Sequence, residues 1–165
     1  MLRMGVLSDT HIPVRAQALP GEIFSLFEGL DLIVHCGDIN TMDLITELEA
    51  LGPVRAVYGN TDPYDVAIRL PPKQIFTFGG VRVGICHGHG MGTPRQNAKR
   101  HLSRAACGLV IYGHSHCPEH LEENGTVYFN PGSVSHPRCT DNGTVGIIEV
   151  DGGIIRGRVI ELEGL

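Results

Sequence analysis

No two cysteines of this chain stand in C-x-x-C spacing. The five present, Cys36, Cys86, Cys107, Cys117 and Cys139, are an odd number. That argues against both a disulfide framework and a structural zinc site, and leaves reduced, buried or half-buried thiols as the expectation. Basic clusters are scarce as well. The net charge is −5, and the largest grouping is Arg95, Lys99, Arg100 and Arg104. Their helical spacing reads as a solvated face, so a nucleic-acid partner is not expected. No apolar stretch approaches the ~18 residues of a membrane span. Met1 leads directly into a short strand-like run ending at Ser8-Asp9, without a signal-type apolar segment. A cytoplasmic location with no membrane contact follows. Internal repeats, low-complexity tracts and linkers are also absent, so the 165 residues are expected to form a single domain, 1–165.

A hydrophobic content of 42% with 19% charged residues, and 22 glycines and 10 prolines in no repeating order, fits a globular fold of many short strands and tight turns. Apolar runs ending in turn residues recur at Met4–Leu7, Leu32–Cys36, Val54–Tyr58, Val81–Cys86 and Leu109–Tyr112, and read as buried strands. Helix-like segments lie between the first three, Gly21–Gly29 and Thr41–Leu51, the second with Thr41 as N-cap and Gly52-Pro53 as its stop. Strand, helix, strand implies a parallel sheet with helices outside. In the second half, Gln74–Phe78 and Val81–Cys86 read as a hairpin about Gly79-Gly80. Glu119–Glu123, Thr126–Phe129, Thr144–Val150 and Ile154–Glu161 read as further strands. This half is expected to be largely antiparallel, with two sheets sharing one core and helices flanking them.

Just beyond the apolar runs stand Ser8-Asp9-Thr10-His11, Gly37-Asp38, Gly59-Asn60-Thr61-Asp62, His87-Gly88-His89 and Gly113-His114-Ser115-His116. Each fragment alone is a common turn or polar pair; all of them in this order are specific. They resemble the D-x-H, G-D, G-N-H-[DE], H and G-H-x-H signature of the calcineurin-like metallophosphoesterases. Over nearly its whole length the chain resembles the small bacterial and archaeal phosphodiesterases of that superfamily. The resemblance implies an α/β fold, a four-layer αββα sandwich of two mixed β-sheets flanked by helices. It also implies a dinuclear centre with Asp9, His11, Asp38 and His116 on one metal, and Asp38, Asn60, His87 and His114 on the other, Asp38 bridging. The cofactors would be two divalent ions, manganese first. Iron, nickel, cobalt or zinc would also suit an oxygen and imidazole set without thiolate. In an extended segment residues i and i+2 face the same way about 6.6 Å apart, so Asp9/His11 and His114/His116 could each aim two ligands into one cavity.

The implied reaction is hydrolysis of a small phosphate ester, foremost a diester, by attack of a metal-bridging hydroxide, with Asp38, Asn60 and His87 as the catalytic set. Thr61 departs from the family pattern. The larger phosphatases carry a histidine there to protonate the leaving group or steady the phosphoryl oxygens, the small members lack it, and a threonine hydroxyl is a poor general acid at neutral pH. His89 repeats the spacing of His87, and either could be the ligand. Alignment to the family motif favours His87, which leaves His89 for outer-sphere or substrate contact. Asn130-Pro131-Gly132-Ser133 and the following His136-Pro137-Arg138 also resemble the small members, and Arg138 is a candidate phosphate ligand beside a plain surface arginine. His35, His101, His120 and His136 match no motif and read as surface or satisfied polar residues, while Asp62 is expected to organise its own turn. A homodimer or homotetramer is implied by the small members alone. A rival expectation comes from a second resemblance, to the retromer subunit of the same fold, which shares the Asp-x-His-Ile-Pro and Asn-Pro-Gly-Ser segments. That likeness implies an interaction scaffold with little or no catalysis.

Overall fold

A computed structural model describes residues 1–163. Ten strands and four helices follow in the order β1 (Leu2–Leu7), α1 (Gly21–Phe27), β2 (Leu32–His35), α2 (Met42–Glu49), β3 (Val54–Ala56), α3 (Tyr64–Ala67), β4 (Lys73–Phe78), β5 (Val81–Cys86), α4 (Pro94–Leu102), β6 (Leu109–Ile111), β7 (Glu119–Glu123), β8 (Thr126–Asn130), β9 (Thr144–Asp151) and β10 (Ile154–Glu161). They form two five-stranded sheets, β10-β9-β1-β2-β3 and β4-β5-β6-β8-β7. Each mixes parallel and antiparallel pairs.

The pleat explains the layers. On β1, Met4 and Val6 point into the space between the sheets, where they meet Val83, Ile85, Leu109 and Phe129 of the second sheet. Gly5 and Leu7 face the other way. A Cβ on Gly5 would come within 2.8 Å of Phe27, so glycine there lets α1 lie close on the sheet. Ile23 and Phe27 of α1 and Leu44 and Leu48 of α2 bury against that outer face with Ile33 and Ile147. On the far side Ala98 and Leu102 of α4 cover Val110 and Tyr112. The result is helix, sheet, sheet, helix, the four layers expected of the fold.

Three differences from the sequence reading have physical causes. First, the second half of the chain is largely antiparallel as expected, through β4-β5, β7-β8, β9-β10 and β1-β9, but β6 departs from this and pairs parallel with both β5 and β8. The basic stretch after Thr93 is α4, capped by Thr93 with a reciprocal Gln96 contact, and it serves as the crossover of a β5-α4-β6 unit. Its charges are partly neutralised, with Arg95 on Glu119 at 2.7 Å and Lys99 on Glu123, which ties α4 to β7. Second, the single turn of α3 has no counterpart among the helix-like segments of the sequence, since four residues carry no period. Third, Cys117 and Cys139 form a disulfide with Cα atoms 5.1 Å apart. Only Cys36, Cys86 and Cys107 are free thiols, all buried. Sequence spacing could not reveal the pair, which depends on two loops meeting in space. Among the described residues no helix is long and apolar enough to cross a membrane.

β1, β2 and β3 are mutually parallel, as are β5, β6 and β8. Every motif leaves the carboxyl end of one of these strands. Cross-sheet bonds hold those ends together: the Cys36 carbonyl accepts from His87 Nδ1 at 2.7 Å and the Asp9 carbonyl from Ser133 Oγ at 2.7 Å. Six loops therefore converge on one edge, the usual place for a site in sheets of this kind.

Candidate metal centre

The convergence relies on backbone conformations that side chains rarely adopt. Asp9, His11, Asp38, Asn40, His114 and His116 all have φ between 46° and 72°. The i, i+2 pairs thus do not continue their strands in extended form, as the sequence reading assumed. They turn through the left-handed region, which costs energy for non-glycine residues and is retained mostly where surrounding structure enforces it. Two glycines make room. A Cβ at Gly113 would fall on Ser8 Oγ, and one at Gly59 on Asp38 Oδ1.

Hydrogen bonds then orient each donor inward. Asp9 Oδ2 accepts from Ser8 Oγ at 2.6 Å and from the His114 N–H at 2.9 Å. Its other oxygen, Oδ1, is buried with no hydrogen-bond partner. His87 Nδ1 faces the Cys36 carbonyl at 2.7 Å, His116 Nδ1 the His136 carbonyl at 2.7 Å and His11 Nδ1 the Asn40 Oδ1 at 3.2 Å. A ring nitrogen facing an amide or peptide oxygen carries a proton, so Nε2 is the nitrogen each ring turns to the centre, and it offers a lone pair there in the neutral ring.

The donors fall into two groups. Atoms of Asp9, His11 and His116 lie within 4.8 Å of one another, and so do those of Asp38, His87 and His114. Asn60 Oδ1 joins the second group, 3.1 Å from His87 Nε2. Asp38 Oδ2 stands between the groups, 3.3 Å from His87 Nε2 and 3.7 Å from His11 Nε2. His11 and His116 Nε2 approach to 3.3 Å, as do His114 Nδ1 and His87 Nε2. Ring nitrogens converging at that distance, beside an orphaned carboxylate oxygen, fit a cation between them. The donor set, imidazole with carboxylate and amide oxygen, suits a divalent transition metal.

The residues 2–153 match the Calcineurin-like phosphoesterase superfamily domain. The chain belongs to that superfamily. A probable metallophosphoesterase of Methanothermobacter thermautotrophicus is 37% identical over 158 residues, 95% of this chain and 91% of the relative. A phosphodiesterase of Methanocaldococcus jannaschii is 28% identical over 174 residues, covering 97% of this chain and 100% of the relative. Among solved structures, Vps29 of Chaetomium thermophilum superposes with a TM-score of 0.80 at 20% identity, covering 98% of this chain and 95% of that one. That last likeness concerns the fold alone.

Electrostatics of the phosphoesterase centre follow from its burial and charge. Burial disfavours a charged His87, but the Asp38 and Asp9 carboxylates beside it outweigh this and lift it from 6.5 to about 9. Burial also opposes charge on Asp9 and Asp38, yet the surrounding imidazoles hold both below the ordinary carboxylate range. His11 and His114 move down, chiefly through burial. In metal-free protein His87 therefore holds a proton on the nitrogen a metal would take. Metal uptake at pH 7 should release about one proton, read by calorimetry in buffers of different ionisation enthalpy; uptake without proton release would remove His87 from the ligand set. The same shift gives a stability trend. The folded value lies above the reference 6.5, so the contribution is complete below 6.5 and fades as pH rises through about 9. Metal-free protein should accordingly melt earlier at pH 9 than at pH 6.5.

Of the candidate substrate residues, Thr61 is exposed, with its N–H on Asp38 Oδ1 at 2.9 Å and its hydroxyl 3.3 Å from His11 Nδ1. His89 is half-buried and outside both groups, its ring 5.6 Å from His87 and 6.3 Å from His114. Arg138 is exposed, and its N–H reaches the His116 carbonyl at 3.3 Å.

Asp62 does more than shape its own turn. Its carboxylate accepts from the backbone N–H groups of Asp38, Ile39, Asn40 and Gly59 at 2.7–2.9 Å, locking the second motif loop to the third. Asp62→Ala should cost roughly 3–5 kcal/mol in denaturant unfolding, because four donors lose a charged acceptor. A loss below ~1 kcal/mol would mean that water replaces the carboxylate. His35, one of the unassigned histidines, is fully buried beneath the first loop, with Thr10 Oγ1 at 3.0 Å and the Gly37 N–H at 3.2 Å. Burial pushes it down to about 3, so it is a neutral, satisfied core histidine.

Proposed function

We propose that this chain is a divalent-metal-dependent phosphodiesterase with a dinuclear centre, manganese being the first candidate metal. The observation that carries the reading is the pair of facing donor groups with Asp38 between them. Asp9, His11, Asp38 and His116 would hold one ion, and Asp38, Asn60, His87 and His114 the other. Bound there, divalent ions supply Lewis acidity, producing a nucleophile from water at neutral pH and offsetting charge on the phosphoryl oxygens.

The protein's own residues set the geometry. The left-handed loops and the Asp62 clamp keep the donors fixed before substrate arrives, so little reorganisation is needed during reaction. His89, half-buried with its ring beside those of His87 and His114, can hydrogen-bond an ester oxygen through the ring nitrogen other than the buried Nδ1. Arg138, on the loop attached to His116, offers a planar donor pair to a phosphate oxygen. Thr61 can donate a hydrogen bond but not efficiently a proton, which favours diesters and activated esters whose leaving groups need none.

With paired nitrophenyl mono- and diester substrates, the diester should be cleaved faster, and monoester preference would contradict the diester reading. Arg138→Ala should raise KM roughly tenfold with metal content unchanged, as expected for loss of one charged hydrogen bond of about 1.5 kcal/mol. Reduced metal content with KM intact would make Arg138 a structural residue.

An interaction scaffold is the second reading. Val14 is 73% exposed and Met91 88%, each on a loop that carries a motif, and Tyr64, the first residue of α3 just after the third motif, is 81% exposed, so the rim of the centre offers apolar contact to another protein. Competent donors at all seven ligand positions favour catalysis over that alternative.

A further inference from the structure

We propose that Cys117 and Cys139 are a reversible thiol–disulfide site whose state sets the metal affinity of the centre; the proposal rests on the metal-binding reading above. The disulfide joins two loops that each end against the site. Cys117 directly follows His116, and Cys139 directly follows Arg138. Between the same two loops run the His116 Nδ1 bond to the His136 carbonyl at 2.7 Å and the Arg138 N–H bond to the His116 carbonyl at 3.3 Å. The first of these fixes the His116 ring so that Nε2 faces Asp9 Oδ1 at 3.3 Å.

The segment 131–143 that supplies the His136 carbonyl has no regular secondary structure. Its backbone is not held by a ladder; Ser133 Oγ on the Asp9 carbonyl and Ser135 Oγ on the Thr10 carbonyl, both at 2.7 Å, anchor its first half, and the disulfide is the one covalent tie between it and the His116 loop. Opening the bond leaves the His136 carbonyl held from the Ser133–Ser135 side and by the Arg138 N–H alone, which loosens the orientation of His116. Loss of such an outer hydrogen-bond partner typically costs 10–100-fold in metal affinity.

The bond is accessible. Cys139 is exposed, and Cys117 lines a cavity of about 260 Å³ with Ser115, Tyr112, Pro118 and Glu119. An exposed disulfide is open to exchange with small thiols, and burial of the other three cysteines confines that exchange to this pair. A small thiolate attacks Cys139 Sγ, the Cys117–Cys139 bond breaks, and Cys117 leaves and takes a proton. A second thiol then attacks the mixed disulfide, releasing the small-molecule disulfide and leaving Cys139 as a thiol. Two electrons and two protons pass to the protein. A low-molecular-weight disulfide reverses both steps.

The test measures Mn²⁺ affinity of the full chain, by competition with a fluorescent chelator, in oxidised and in thiol-reduced protein freed of reductant. Manganese is chosen because it has little preference for thiolate, so the freed cysteines do not themselves bind the probe. Thiol titration after denaturation defines the states: three thiols oxidised, five reduced, matching the cysteine count. Reduction should weaken Mn²⁺ binding roughly tenfold, and re-oxidation should restore it. The double substitution Cys117→Ser, Cys139→Ser should show the weaker value whatever the thiol conditions. Equal affinity in the two titrated states, or a double variant that binds like the oxidised protein, overturns the proposal and leaves the metal reading standing. No Mn²⁺ binding in either state overturns both.

Discussion

Asp38→Ala is expected to reduce phosphoesterase activity by at least about 10³-fold, more than the roughly 10²–10³-fold lost when one oxyanion donor is deleted. The reason is position. One oxygen of Asp38 is held by the Thr61 N–H at 2.9 Å, and the other lies between His87 at 3.3 Å and His11 at 3.7 Å. A single truncation therefore removes a donor from both groups, together with one of the two charges that stabilise a protonated His87. Asp38→Asn should fall in between, since it keeps the shape and one acceptor but loses the charge. Metal content and turnover are the readouts. An alanine variant with full metal content and full turnover would place the reaction elsewhere.

Thr61→His should raise turnover of alkyl phosphate esters by up to about 10²-fold, the lower end of what a positioned general acid contributes, and should change nitrophenyl substrates little. Thr61 is exposed and its contact with Asp38 is made by the backbone N–H; His11 Nδ1 loses the Thr61 hydroxyl at 3.3 Å but keeps Asn40 Oδ1 at 3.2 Å, so metal content should change little. The test is a plot of rate against leaving-group pKa for the two proteins. A shallower slope in the variant is the expected result; identical slopes at full metal content would mean that proton supply does not limit the poor leaving groups.

Much of this molecule is legible in its sequence because a buried strand must be an apolar run and must end in residues that tolerate a turn. That rule locates β1, β2, β5 and β6 and the motifs beyond them. It does not give pairing direction. β6 reads the same whether parallel or antiparallel, and only the position of α4 as a crossover decides it. The donors are legible as residue types, and their side chains lie in two groups. The means of assembly are not legible, since the left-handed backbone at Asp9, His11, His114 and His116 replaces the extended geometry that i, i+2 spacing suggests. Asp62 carries a signal in its place after Asn60-Thr61, but its four backbone bonds span two loops and exist only in three dimensions. The Cys117–Cys139 pair is hidden for the same reason.

The most direct test of the metal-centre account is diester hydrolysis after complete chelation and then after adding back Mn²⁺, Fe²⁺, Ni²⁺, Co²⁺ or Zn²⁺ singly, with metal content measured on the same samples. The account predicts no activity after chelation and recovery that tracks occupancy of two ions per chain. Full occupancy with any of these metals and no hydrolysis of either ester class would contradict it, and would leave the fold as a platform for a protein partner.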